Sequence, residues 1–496
     1  MTAATATGAD PIGDRRRLAA RGTLINSAFQ IGLGGLTFLK AIVAARFVST
    51  ADYGVWGILF LALAVIVSLK TVGVTDKYIQ QDEEDHEGAF QRAFTLELLF
   101  SLILTVAMIA AAPLIALAYG RQELFLPALA IALVIPSIAL QSPLWIFYRR
   151  MDFVRERSLS AIEPIVSFVL TIVLAVAGFG YWALIIGFVA GSWSSAIAAL
   201  IASPYPIRVS YDHGTMREYF TYSWPLMLAG ISGLLIAQFS VFFGTIALGL
   251  AGAGAISLAG NFSSYADRVD AVVTQTIYPA ICRVRHNRDL LLEAFTKSNR
   301  LALMWGIPFG IALTLFAGDL IQFGIGEKWD LALVLLQVMG VTAALNHVGF
   351  NWSAFYRAIG NTRPMAVVTV GTAAVFFAVP VPLLLTEGLT GFAIGIGVMT
   401  AATLAMRAYY VAKLFPRFAM LGYLVRAVAP TVPAVGVVLL LRTAESGPRS
   451  LGLALAELAV YIATTAAFTL AFERSLIREV LGYLRGEGRR AAVAGA

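Results

Sequence analysis

The segment Gly252–Cys282, GAGAISLAGNFSSYADRVDAVVTQTIYPAIC, has the length and apolar flanks of a membrane-spanning helix, yet it carries ions at its centre. A helix needs roughly 20 mostly apolar residues to cross a bilayer. The middle of this one reads Asn261, Ser263, Ser264, Tyr265, Asp267, Arg268, Asp270, Thr274 and Gln275. At about 100° per residue these fall on one broad arc with Gly260 and Ala271, opposite Leu258, Phe262, Ala266, Val269 and Val273. An ionised side chain at mid-helix costs roughly 2.5–3.5 kcal/mol on insertion scales, so Asp267, Arg268 and Asp270 are not there for anchoring. Two readings fit. In one, Asp267 and Asp270 neutralise Arg268 within a helix–helix contact. In the other, the arc lines a water-filled cavity and Arg268 presents a cation to an anionic substrate.

The composition around this stretch is that of a membrane protein. Hydrophobic residues make up 59% of the 496 residues and charged residues 13%, against about 25% charged in soluble domains. The single cysteine, Cys282, excludes a disulfide framework, and His86, His213, His286 and His347 do not pair at metal-ligand spacing. The first 20 residues are polar, Ala-rich and basic, with no apolar run before a small-residue cleavage site, so no removable signal peptide is expected.

Hydropathy and breaker residues predict an all-α polytopic protein of fourteen transmembrane helices. The spans fall near 24–46, 54–75, 89–118, 124–148, 158–178, 180–203, 217–249, 252–282, 297–317, 331–356, 364–386, 390–413, 421–441 and 450–472. With the N-terminus in the cytoplasm, inner segments hold 27 of the 36 Lys and Arg residues. Outer segments hold five (Arg46, Arg121, Lys328, Arg442, Arg449), and Lys40, Lys70, Arg268 and Arg407 lie inside spans. Positive charge is enriched on the cytoplasmic side of membrane proteins, so this bias supports the count and places both termini in the cytoplasm. The net charge of +7 follows from the same asymmetry. Attraction of the inner loops to anionic lipid accounts for it without nucleic acid.

The chain also repeats itself. Phe147-Tyr148-Arg149-Arg150 returns as Phe355-Tyr356-Arg357-Ala358, an offset of 208. APLIALAYG (112–120) returns as GDLIQFGIG (318–326), and DYGVWGI (52–58) as AGAGAIS about 200 residues on. Three matches in order at nearly constant offset argue for duplication of a six-helix unit, the two copies sharing one orientation. The expected organisation is a cytoplasmic segment 1–23, an N-lobe 24–203, a linker 204–216, a C-lobe 217–413, two added helices over 421–472 and a basic tail 473–496. Such halves are pseudo-symmetric, and transporters hold substrate between them.

Span 1 carries Thr23, Asn26, Gln30, Thr37 and Lys40 on one stripe, with Arg46 at its outer end. Lys40 either snorkels to head groups or, because the stripe continues inward, faces a cavity. Lys40, Arg46 and Arg268, with Asn26, Gln30 and Asn261, would favour a phosphate-bearing substrate, held by charge-assisted hydrogen bonds. Asp267 and Asp270 either pair with Arg268 or exchange a proton or sodium ion that couples transport to a gradient. Lys70 and Arg407 read mostly as anchors near the inner surface, His347 and Asn351 as interhelical hydrogen-bonding groups, and Glu97, Glu163 and Glu457 receive no role. Catalysis is not expected: outer loops are short, no Walker-type phosphate loop occurs, and no acid/base groups gather at one membrane face. No cofactor is called for beyond the coupling ion.

The segment ARFVSTADYGVWGI (45–58) resembles the "AR-x-L-x-x-x-DYG" segment of bacterial polysaccharide flippases of the Wzx type. GVTDKYIQQ (73–81), IYPAICRVRHN (277–287), the stretch 307–339 containing GEKW, and Gly360 are similar to further parts of that family. The likeness runs from about Arg21 to span 12, with DYG and GEKW its most specific parts. The family shares a superfamily with multidrug/toxin extruders and the lipid II flippase. The resemblance implies export of undecaprenyl-diphosphate-linked oligosaccharide for a surface polysaccharide, by alternating access of two six-helix lobes in the inner membrane, with a cation gradient as driving force. It places the diphosphate-binding cations on Lys40 and Arg268, a lipid-tail groove on spans 13 and 14, and polymerase or export proteins among the partners. The chain departs from its relatives in carrying fewer cavity cations. Two other readings stay open: a cation-coupled drug antiporter of the same superfamily, weighed against by three cations facing two carboxylates, and a non-transporting component of a polysaccharide synthesis complex.

Overall fold

The computed structural model describes residues 32–69, 85–150, 152–267, 286–361, 363–416, 427–445 and 447–476. It also describes the isolated positions 29, 74, 78, 270, 273, 274, 278, 281, 282, 284, 425 and 478. Between 213 and 234 this covers the helix backbone and the side chains of His213, Gly214 and Arg217. No strand occurs among the described residues. Nine described helices are long and apolar enough to cross a membrane, or ten when Arg288–Leu315 and Ala317–Ile325, bent by 60°, count as one. Arg363–Ala378 and Thr431–Ala444 are shorter apolar helices. The protein is thus an all-α, multi-pass membrane protein.

Helix starts follow local chemistry. Asp85 caps His86–Ala118 by accepting from the Gly88 amide, Asn287 caps Arg288–Leu315 through two amides, and Ser450 caps Leu451–Phe472. Each side chain satisfies an orphan donor of the first turn. Two long helical runs are in fact hairpins. Gly249 (φ 71°) interrupts His213–Ser264, and Gly388 (φ 67°) interrupts Pro380–Leu414. A Cβ on Gly244 would strike Ile256, and one on Gly395 would strike Pro380. In a continuous helix, residues twelve or fifteen apart would lie about 18–22 Å from one another. The chain therefore doubles back at each glycine, where positive φ is open to a residue without Cβ.

The internal repeat appears in the turning points. Gly120 (φ 62°) and Gly326 (φ 99°) lie 206 residues apart, and Gly180 (φ 55°) and Gly388 (φ 67°) lie 208 apart. These are the offsets of the sequence matches. The described residues form two compact units, one from residues up to 40 with 63–231, the other from 41–62 with 232–496. The helix over 32–47 and the helix Thr50–Ser68 thus each contribute to both units, and 41–62 cluster with the second.

In the first unit, Phe153–Val176 packs along Tyr181–Ala202. Gly187 and Gly191 permit the approach, since a Cβ on either would overlap Thr171, Ser167 or the Glu163 carbonyl. A second core forms from Tyr78, Phe90, Phe94 and Ile146. In the second unit, Phe295, Trp352, Phe355 and Phe415 build one cluster, and Phe316, Ala434, Val438 and Tyr461 another. The latter fixes the two C-terminal helices to the unit. An ion network adds to it: Arg442 and Arg449 both donate to Asp319 and Glu457, and Arg449 also pairs with Glu445. Arg300 of Arg288–Leu315 pairs with Glu473 at the end of Leu451–Phe472. Glu457, given no role from sequence, is 2% exposed inside this network.

In the second unit, two spans expected to be continuous are broken. The helix after Gly249 ends at Ser264 and passes into turns over 265–267. The predicted span 331–356 consists of Leu333–Asn346, a turn segment 347–351, and Trp352–Ala358. The single-arc reading of Asn261–Gln275 assumed regular helix, and it does not hold through the break. Irregular backbone at membrane depth is tolerated only where protein or a cavity satisfies its polar groups.

Candidate functional site

The two breaks meet. His347, fully buried, begins the 347–351 turn, and its Nε2 lies 2.9 Å from the carbonyl oxygen of Ala266 in the other break. Its Nδ1 lies 2.7 Å from Ala343 O. Nε2 also faces Asp270 Oδ1 at 3.4 Å and Asp267 Oδ1 at 3.9 Å. Further groups at this turn are met by side chains. Asn299 donates to His347 O and accepts from the Gly349 amide, Arg407 Nη1 donates to Asn346 O at 2.5 Å and Val348 O at 3.0 Å, and Asn351 donates to Ser298. Buried backbone polar groups need such partners. Gly306 makes room for the imidazole, because any side chain there would overlap the His347 ring.

Beside this junction lies a cavity of about 560 Å³, lined among others by Asp267, Asp270, Asn346, Phe350, Thr403 and Arg407. Asp267 opens to it with 64% of its side chain exposed, whereas Asp270 keeps 17%. Asp270 Oδ1 has no hydrogen-bond partner among the described residues. Asp267, Asp270 and His347 bring ligand-type atoms within 4.8 Å of one another, a set able to hold a proton or a small cation. Asp267 and Asp270, read from sequence as coupling candidates, are thus placed together. Arg407 is not an anchor at the surface. Its guanidinium turns back to the helix break and the cavity, and it is the residue that sequence reasoning missed.

Lys40 belongs to the first unit. Its Nζ donates to Ser167 Oγ at 3.0 Å, and Glu163, one turn away on the same helix, lies in its electrostatic neighbourhood. The ammonium is therefore directed at a helix rather than snorkelling along the lipid face. Gln141 donates to Ser192 Oγ and O at 3.3 and 3.4 Å, from a three-residue turn, 141–143, that breaks the helix run Gln122–Arg149. Asn261 is engaged by Tyr53, donating to its hydroxyl at 3.2 Å. Arg46 is exposed beside Gly326 and Lys328, apart from the cavity lining. Asn26, Gln30 and Arg268 lie outside the described residues.

Helix hairpins, glycine turning points repeated at offsets of 206 and 208 residues and charged groups at helix breaks fit a polytopic membrane protein of transporter type. A family described as polysaccharide biosynthesis protein matches residues 43–334, a stretch that includes both the DYG and the GEKW segments. The chain belongs to this family, in agreement with the Wzx-type resemblance. Among characterised relatives, it is 22% identical over 479 residues to the succinoglycan biosynthesis transport protein ExoT of Rhizobium meliloti, covering 94% of this chain and 95% of that one. It is 20% identical over 339 residues to the lipopolysaccharide biosynthesis protein WzxC of Escherichia coli, covering 66% and 67%. Among solved structures, the lipid II flippase MurJ in an inward closed conformation superposes with a TM-score of 0.62 at 16% identity, over 92% of this chain and 99% of MurJ. That likeness is one of fold.

Proposed function

We propose that the protein is a flippase that moves undecaprenyl-diphosphate-linked oligosaccharide across the bacterial inner membrane for export of a surface polysaccharide. Fourteen spans with both termini cytoplasmic, and alternating access of the two repeats, complete the reading. The observation that carries it is the presence, in a chain of this family, of intramembrane ionisable groups gathered at helix breaks beside a cavity. Charges in a bilayer persist where they serve a pathway. That ExoT is a succinoglycan biosynthesis transport protein and WzxC a lipopolysaccharide biosynthesis protein supports the cargo class and weighs against the drug-antiporter alternative.

In this reading Arg268 and Lys40 take the diphosphate by charge-assisted hydrogen bonds, with Asn26, Gln30 and Asn261 along the path and Arg46 steering anions at its outer end. Asp267 and Asp270, with His347 and Arg407 around them, carry a coupling proton or sodium ion. The test is transfer of undecaprenyl-diphosphate-oligosaccharide across proteoliposomes by wild type, Arg268→Ala and Lys40→Ala. Movement by wild type and loss in Arg268→Ala, with partial retention in Arg268→Lys, supports both cargo and site. Drug efflux without lipid transfer returns the chain to the antiporter reading. Full transfer by a stable Arg268→Ala protein leaves the cargo standing and removes the site assignment.

A further inference from the structure

The two most specific family segments, DYG and GEKW, are one structural object. The helix over 32–47 ends with carbonyls that lack intrahelical partners. Trp329 Nε1 donates to Ala45 O at 2.8 Å, and Lys328 Nζ donates to Arg46 O at 2.9 Å and Val48 O at 2.6 Å. A lysine ammonium at a helix C-terminus also suits the macrodipole. The Trp329 ring, fully buried, meets Tyr53 edge-on at 5.4 Å and 88°, and Tyr53 OH accepts from Asn261. The Glu327–Ala332 turn that presents Lys328 and Trp329 starts from Gly326 at φ 99°, a conformation that favours glycine.

One turn further along, the backbones of the two repeat copies cross. A Cβ on Gly54 would fall well inside 3.0 Å of Leu250 O, and a Cβ on Gly254 equally close to Thr50 O. The two glycines and the two carbonyls are each 200 residues apart, so the crossing is a local two-fold between repeats. Gly57 stands likewise against Ser257, whose Oγ is buried without a partner among the described residues.

These contacts differ in kind from those that hold the C-terminal helices. There, Phe316, Tyr461 and Val438 interlock. Here, glycine backbones touch beside the buried Trp329–Tyr53 pair, and the Lys328 bond to Arg46 O lies at an exposed edge where water can replace it. The helices concerned are the two that contribute to both compact units. We propose that the cap made by Lys328 and Trp329, with the Tyr53–Asn261 bond and the Gly54/Gly254 crossing, is a releasable latch. It holds residues 41–62 against the rest of the second unit in one transport state and parts in another. This rests on the transporter reading.

The latch is tested without cargo, in nanodiscs, by the reaction rate of Ser257→Cys with a small maleimide in a Cys282→Ser background. A second reporter, Ala434→Cys, sits in the interlocked C-terminal cluster. Trp329→Phe removes one donor while keeping an aromatic ring, and Lys328→Met removes the charge while keeping length. Labelling at position 257 is expected to rise about fivefold for the first and about tenfold or more for the second, with position 434 silent. Gly254→Ala, which props the crossing apart, should raise it too. Unchanged labelling at 257 in all three variants overturns the latch. Parallel rises at 257 and 434 also overturn it, since the contacts would then be ordinary structural ones. Because no substrate is present, either result is independent of which molecule the protein carries.

Discussion

Gly306→Ala is the smallest change that reaches the candidate site without touching the cavity. The added methyl would overlap Cγ and Cδ2 of His347 and approach Nδ1 to 2.6 Å, so the ring must move. A shift of about 1 Å takes Nε2, now 2.9 Å from Ala266 O, past the range of a hydrogen bond. Overpacking a close-packed interior costs about 1–3 kcal/mol. Orphaning a buried carbonyl costs about 1–3 kcal/mol more. The two together predict roughly 2–6 kcal/mol of destabilisation from one methyl. The same displacement carries the imidazole away from Asp270, so gradient-driven transport should fall as well.

The double mutant makes the argument sharp. With His347→Ala the space above Gly306 is empty, and adding the methyl should then change stability by less than about 0.5 kcal/mol. Neighbours that share one contact are non-additive in this way. The assay is the fraction of detergent-solubilised protein that stays monodisperse after heating, for wild type, both single variants and the double. Additive losses, or a Gly306→Ala protein indistinguishable from wild type, would refute the claim that Gly306 exists to seat His347.

Asp270→Asn should abolish stimulation of transport by an imposed proton or sodium gradient while sparing downhill exchange; Asp267→Asn, at a more exposed carboxylate, should do less. Transport with and without each gradient separates the two. Ser167→Ala removes the hydroxyl that receives Lys40 but keeps the cation, so transfer should stay within about twofold of wild type while Lys40→Ala loses it. Equal loss in both would make the Lys40–Ser167 contact structural. Asp319→Asn takes the shared carboxylate from Arg442 and Arg449. Breaking a fully buried pair costs about 3–5 kcal/mol, but these arginines keep 27% and 23% of their surface, so about 1–3 kcal/mol is expected. Faster proteolysis between Thr431–Ala444 and the preceding helix would report it.

The helical class, the repeat offsets and the polar centre at Asn261–Asp270 were legible because apolar length, periodicity and glycine placement are local properties. The helix breaks were not. Whether residues 265–267 and 347–351 unwind depends on distant side chains that accept the freed backbone groups: His347 for Ala266, Arg407 for Asn346 and Val348, Asn299 for His347 and Gly349. Arg407 reads as an anchor because its α-carbon lies toward one end of an apolar run, and the direction of its long side chain is not written in spacing. Gly306 is silent for the opposite reason, as one small residue in an apolar helix resembles any other. DYG and GEKW were visible as signatures, yet 270 residues of chain hid the fact that Lys328 and Trp329 cap the helix just before Tyr53.

The same kind of helix break carries different charges in the two units. The turn 141–143 in the first copy lies 208 residues before 349–351 in the second, so both copies break the equivalent helix at the equivalent point. Ser192, which accepts from Gln141, corresponds at that offset to Thr400, which lines the second unit's cavity. Around the first break the unit supplies a cation, Lys40, on Ser167 near Glu163; around the second it supplies Asp267 and Asp270 on His347. A helix break is the feature common to both units, and the charges placed at it are what differ. An anionic cargo and a cationic driving ion would require that division, since carboxylates beside a diphosphate repel it and a lysine beside a bound cation does the same. Exchange of the two functions is therefore expected to fail: Lys40→Glu should lose transport more completely than Lys40→Ala, because it adds repulsion to the loss of attraction. Equal residual transport in the two variants would mean that no anion passes Lys40.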